Sequence, residues 1–151
     1  MRSMTRPKRK SRAGGTIDIR NLQDQVKVDR RFVRRVVKQT LKTEGKSGQV
    51  SILLTGNEHI RELNRRYRSV DRVTDVIAFP LDDEVLGDVV VSMERTGQQA
   101  REYGVSFENE FARLLAHGVL HLVGYQDTDE RHAREMSSKQ EAIVREVLDW
   151  K

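Results

Sequence analysis

Between Phe111 and Val123 the chain reads FARLLAHGVLHLV, apolar almost all the way round a helix. A helix of that composition has to be buried, so the rest of the chain must be arranged to cover it. It also carries His117 and His121, and an imidazole buried without a partner is costly. Residues four apart lie on one helix face with their side chains one turn apart, a spacing at which two imidazoles can share one metal ion. Gly124 is placed to end the helix in a left-handed turn and to swing the chain back, so that Asp127 reaches the same ion from below. The pattern is His-x3-His-x2-Gly-x2-Asp. A single histidine here would be read as hydrogen-bonded in the core. Two at helical spacing, followed by a turn glycine and a carboxylate, favour a metal centre of His117, His121 and Asp127.

Three nitrogen and oxygen ligands leave a coordination position for water, which is the catalytic and not the structural arrangement. One zinc ion per chain is the first expectation, and iron, manganese or nickel also suit such a set. The chain has no cysteine, which excludes thiolate-ligated zinc, iron-sulfur clusters, thiol nucleophiles and disulfide frameworks.

The rest of the chain supplies the elements that would bury this helix. TIDIRN alternates as a half-buried strand does. Asp29 caps a helical stretch in which Phe32, Val33, Val36, Val37 and Leu41 form one apolar stripe ending near Gly45, with arginines on its solvated face. QVSILLTG reads as a buried strand, and NEHIRELNRRYR as a helix capped by Asn57 with Ile60, Leu63 and Tyr67 inward. TDVIAFP and LGDVVVS, separated by LDDEV, predict an antiparallel hairpin with Pro80 closing its first strand. SMERTGQQAREYG is a weaker helix broken near Gly104. Ser106 caps the next, with Glu108 and Glu110 complementing its N-terminal dipole. The last segment places Ala133, Met136, Ile143, Val147 and Trp150 at helical spacing. The order β-α-β-α-β-β-α-α-α predicts an α+β fold, a small mixed sheet of about four strands with helices packed against it.

The 151 residues fit a single domain over residues 16–151, preceded by a basic leader at 1–15. The net charge of +5 belongs to that leader: it holds six of the 28 basic residues and no acid, leaving 22 basic against 23 acidic residues elsewhere. Lacking apolar content, it is expected to be disordered, either as a solubilising segment or as an electrostatic contact to RNA or another polyanion. No stretch approaches the roughly 18 apolar residues of a membrane span, so no membrane partner is expected and the default compartment is the cytoplasm.

The histidine spacing echoes the long protease motif H-E-x-x-H-x-x-G-x-x-H, with one departure. The residue after the first histidine is Gly118, where such a protease carries the glutamate that serves as general base. A metalloprotease-like hydrolase is therefore the lesser reading.

Beyond the metal helix, the chain contains LNRRYRSVDRVTDVIAFP at 63–80, LGDVVVS at 86–92, the QQAREYG segment and HGVLHLVGY at 117–125. In these blocks it resembles the YbeY family, the bacterial endoribonucleases linked to ribosomal RNA maturation. The resemblance implies a zincin-like fold, a bound zinc and cleavage of single-stranded RNA. It further implies a role at the 3′ end of small-subunit ribosomal RNA and in ribosome quality control, with the small ribosomal subunit as partner. By this match the first two metal ligands fall on His117 and His121, and the family's usual third histidine falls on Asp127. An anionic oxygen there lowers the net positive charge of the ion. The family's functional arginine falls on Arg68, which suits a guanidinium gripping a scissile phosphate through two parallel hydrogen bonds. Arg68 could equally pair with Asp71 or Asp75 at a helix end. Ala78 stands where the family commonly has serine. His132 is a lesser candidate for the third ligand, and His59 is read as a surface residue.

The expectation is thus a metal-dependent endoribonuclease with Arg68 and His117 catalytic. A non-catalytic RNA-binding or ribosome-binding assembly factor, and a metal-free acid and base pair of His117 and His121, are the alternatives.

Overall fold

The computed structural model describes residues 16–149. The expected leader and Trp150 lie outside the described residues. The elements run β1 (Ile17–Asn21), α1 (Arg30–Thr43), β2 (Gln49–Thr55), α2 (Asn57–Arg68), β3 (Val76–Pro80), β4 (Val85–Ser92), α3 (Met93–Tyr103), α4 (Phe107–Leu122) and α5 (Glu130–Asp149). The four strands form one mixed sheet in the order β1-β2-β4-β3. β1, β2 and β4 are parallel, and β3 pairs antiparallel with β4 at the edge. An edge position suits Pro80, which has no amide hydrogen to give to a ladder. The hairpin between β3 and β4 closes on Asp82, whose carboxylate accepts from the amides of Glu84 and Val85 at 2.9 and 2.8 Å.

Strand alternation sorts the core into two layers. Ile19, Ile52, Val89 and Ala78 sit opposite one another across the sheet, and with Val50, Leu54 and Val91 they face α1, α4 and α5. Leu53, Val90, Ile77 and Phe79 face the other way, against Ile60, Leu63 and Tyr67 of α2. Tyr67 meets Phe79 edge-on, ring centroids 5.8 Å apart. All five expected residues of the α1 stripe, Phe32, Val33, Val36, Val37 and Leu41, are buried, and Thr40 joins them.

α4 is the most buried helix: Phe111, Ala112, Leu114, Leu115, Ala116, Gly118, Val119, Leu120 and Leu122 are all covered. Gly118 is where the helix touches the sheet. A Cβ there would stand 2.5 Å from Val89 Cγ1 and 3.3 Å from Val76 Cγ2, so a side chain at this position would push α4 off β3 and β4. Ser106 caps α4 as expected, accepting from the Asn109 amide at 3.1 Å. One cap differs. Asn57 is the first residue of α2, with Gly56 at the cap. The asparagine is engaged elsewhere: its amide donates to Glu94 at 2.8 Å and its side chain meets Ser92 Oγ at 2.6 Å, tying α2 to the start of α3.

Candidate metal centre

α4 ends in a turn that builds half of the site. The Tyr125 amide donates to the Leu120 carbonyl at 3.0 Å and the Gly124 amide to the His121 carbonyl at 3.1 Å, the pair of bonds of a Schellman cap. Gly124 takes φ +109°, a value that favours glycine, and nothing crowds it. The reversal puts the Tyr125 carbonyl under the ring of His121, 2.9 Å from Nδ1. It also returns Asp127 to the histidine face: one ligand atom from each of His117, His121 and Asp127 lies within 4.8 Å of the others. The three expected ligands are therefore together. The histidines are half-buried and Asp127 is exposed, so the cluster opens to solvent on the carboxylate side.

The hydrogen bonds decide which nitrogens are available. A carbonyl oxygen only accepts, so His121 Nδ1 carries a hydrogen and, in the neutral ring, Nε2 is bare. His117 Nδ1 lies 2.8 Å from Gln140 Oε1, while the Gln140 amide nitrogen points to Glu141 at 3.5 Å. That orientation makes His117 Nδ1 a donor too and leaves its Nε2 bare. The two bare nitrogens are 3.1 Å apart, lone pair toward lone pair. Such a pair repels unless a positive charge lies between or beside them. A proton is a poor candidate, because burial, and then the neighbouring His117, hold the His121 imidazole below its ordinary pKa against the pull of Asp127. Two neutral imidazoles and a carboxylate converging on one point fit a divalent cation.

The surrounding cavity, about 640 Å³, is lined by Arg68, Thr74, Asp75, Val76 and Ala78 as well as the three clustered residues. Arg68 is the last residue of α2, whose chain then turns through Ser69 at φ +57°. Neither proposed carboxylate partner takes it: Asp71 pairs with Arg61 at 2.9 Å, and Asp75 accepts from the Val76 amide and from Gln99. Its guanidinium is exposed and faces the same cavity as the histidines. Ala78 presents a methyl group where a hydroxyl would add a donor.

His132 is not in the cluster. Its Nδ1 bonds Asp129 at 2.7 Å at the start of α5, an exposed pair that serves the helix end. His59 is half-buried on α2 and outside the cavity lining. Gln140 escapes a reading of local sequence, since it lies 23 residues from His117 and reaches it only because α5 packs on α4. Behind it, Glu141 receives a two-pronged bond from Arg113 at 2.6 and 2.8 Å. Arg113 also holds Glu110, at 2.9 Å, and Glu110 accepts from Gln99 at 2.8 Å.

Residues 18–148 match the family model described as Endoribonuclease YbeY. The chain belongs to the YbeY family. Curated YbeY relatives agree over most of both chains. Endoribonuclease YbeY of Carboxydothermus hydrogenoformans is 49% identical, covering 84% of this chain and 94% of the relative. That of Acetivibrio thermocellus is 38% identical, covering 87% and 96%. Among solved structures, the solution structure of TM1509 from Thermotoga maritima superposes with a TM-score of 0.65 at 31% identity, over 87% of this chain and 89% of that one. A YbeY chain with this sheet, this α4 and this convergence of His117, His121 and Asp127 has the α+β architecture expected of it. Among the described residues no helix is long and apolar enough to cross a membrane.

Proposed function

We propose that this chain is a metal-dependent endoribonuclease that cuts single-stranded RNA, acting on the 3′ end of small-subunit ribosomal RNA and in ribosome quality control. Its relatives carry the name endoribonuclease. The observation that carries the reading is the pair of bare Nε2 atoms 3.1 Å apart beside Asp127, in a cavity that also holds Arg68, which has no carboxylate partner among the described residues.

His117 and His121 would hold the ion through Nε2 and Asp127 through a carboxylate oxygen, and zinc suits this donor set. When bound, such an ion supplies Lewis acidity toward water and phosphoryl oxygen. The chain's own residues do the rest. Arg68 grips the phosphate across the cavity and offsets charge building on its oxygens. The Tyr125 carbonyl and Gln140 keep both rings turned so that Nε2 faces the cavity. Residues 16–151 act as one catalytic domain, and the cytoplasm, where ribosomes mature, is the compartment this role requires.

Peptide hydrolysis is disfavoured by the packing of Gly118, because Val89 and Val76 occupy the space a general-base glutamate would need. A purely RNA-binding role leaves the bare nitrogens and the free Arg68 without a purpose. The test is cleavage of a labelled single-stranded RNA: Arg68→Ala and His117→Ala are each expected to lose at least about 100-fold in rate. Full activity in both variants would overturn the assignment.

A further inference from the structure

α1 carries Arg30, Arg31, Arg34, Arg35, Lys38 and Lys42 and no carboxylate anywhere along its 14 residues. Outside this helix and the leader the chain is markedly acidic. At about 100° per residue, Arg31, Arg34, Lys38 and Lys42 fall within an arc of roughly 100° on the side opposite the buried stripe. They run about 16 Å along the helix axis. All four are exposed, and together with Arg35 and Gln39 they line a shallow groove of about 380 Å³.

Arg31, Arg34, Lys38 and Lys42 are four cations on one helix face with no acid beside them among the described residues. Each of the other helices carries at least one arginine beside an acid: Arg61 and Arg65 on α2, Arg95 on α3, Arg113 on α4 and Arg134 on α5 each stand within 4.0 Å of a carboxylate. Among the described residues no carboxylate stands within ion-pair distance of Arg31, Arg34, Lys38 or Lys42. Arg31 and Arg34, Arg34 and Lys38, and Lys38 and Lys42 are like charges at i,i+3 or i,i+4, an arrangement that destabilises a helix. A merely solvated face would gain from a glutamate at one of these positions. The stripe is placed to meet a polyanion.

The stripe also leads toward the cavity. Two residues beyond Lys42, Glu44 at the end of α1 neighbours the Tyr125 phenol and pairs with Lys139 of α5 at 3.4 Å. Tyr125 is the residue whose carbonyl orients His121. We propose that the outer face of α1 is a docking track for the phosphate backbone of RNA, running along the helix toward the rim of the metal centre. This rests on RNA as the substrate class. The track binds phosphates and is indifferent to base, so it holds a long RNA while the cavity receives the bond to be cut.

The test uses the full chain with Arg31, Arg34, Lys38 and Lys42 all changed to glutamine, which keeps helix propensity and removes the repulsion. Its melting temperature is expected not to fall. By fluorescence anisotropy on a labelled single-stranded RNA of about 30 nucleotides, binding is expected to weaken at least about tenfold at moderate salt. The slope of log K against log salt is expected to shrink by about 3, at about 0.7 per phosphate contact. Should the four-fold variant not fold, Arg34→Gln with Lys38→Gln is expected to give about half that change in slope.

Cleavage of an oligonucleotide too short to reach α1 is expected to be unchanged. If neither protein cleaves RNA yet the binding loss appears, the track stands and the catalytic reading fails. Unchanged affinity and slope overturn the track, whatever the nuclease result. Loss of binding to vesicles of anionic phospholipid, with RNA binding intact, also overturns it, in favour of a membrane surface.

Discussion

Two oxygens determine what the histidines can do. The Tyr125 carbonyl and the Gln140 amide oxygen each take an Nδ1 hydrogen, and that leaves two Nε2 lone pairs aimed at one point. Gln140→Leu is expected to lower zinc affinity by about 10- to 100-fold, measured by competition with a chromogenic chelator, while the fold persists. An unchanged affinity would mean that packing alone holds His117 in place. Gly118 is a second test at this scale. Gly118→Ala sets a methyl group against Val89 and is expected to cost about 1–3 kcal/mol in denaturant unfolding.

The histidines and Asp127 could be recognised in the sequence because their geometry is local, one helical turn and one glycine cap. Gln140 could not, because its contact depends on how α5 lies across α4. The freedom of Arg68 was equally hidden, since it depends on Arg61 taking Asp71 and on Gln99 and the Val76 amide taking Asp75.

Among the elements, α4 and α5 are joined by charge as well as by apolar contact. Glu110, expected only to complement the helix dipole, is 2% exposed and is held by Arg113 and Gln99. The sequence hid this because a first-turn glutamate normally faces water, and here α3 closes over it. Arg113→Met would leave that carboxylate buried without its cation, and a loss of about 3 kcal/mol is expected in chemical denaturation.

The other end of the bridge sets an acid limit. The hydrogen bond from Arg113 holds the Glu141 carboxyl below its ordinary value near 4.5. A depressed folded pKa means stability present above the unfolded value and lost as pH falls through the folded one. Melting temperature is therefore expected to hold from neutral pH to about 5 and to fall on further acidification. In Glu141→Gln that fall should be shallower; an identical profile would remove Glu141 from the acid limit.

In the whole molecule, the mixed sheet serves to aim one end of α4. The apolar runs QVSILLTG and LGDVVVS made the strands readable, and the polar LDDEV at 81–85 made the hairpin readable, although Val85 already belongs to β4. The strand order β1-β2-β4-β3 was not readable, because it follows from which helices cover which face and not from any one strand. That order puts β3 at the edge, with Val76 and Ala78 forming one wall of the cavity and α4 the other. The edge keeps the site open to a chain-like substrate, and Arg68 stands at the cavity's α2 side.

The most direct test of the central claim is metal content and RNA cleavage measured on the same preparation. The purified protein is expected to hold one divalent ion per chain and to cut single-stranded RNA. Exhaustive chelation should abolish cleavage, zinc should restore it, and His117→Ala with His121→Ala should bind no ion. Cleavage at full rate by protein verified to be metal-free would contradict the account.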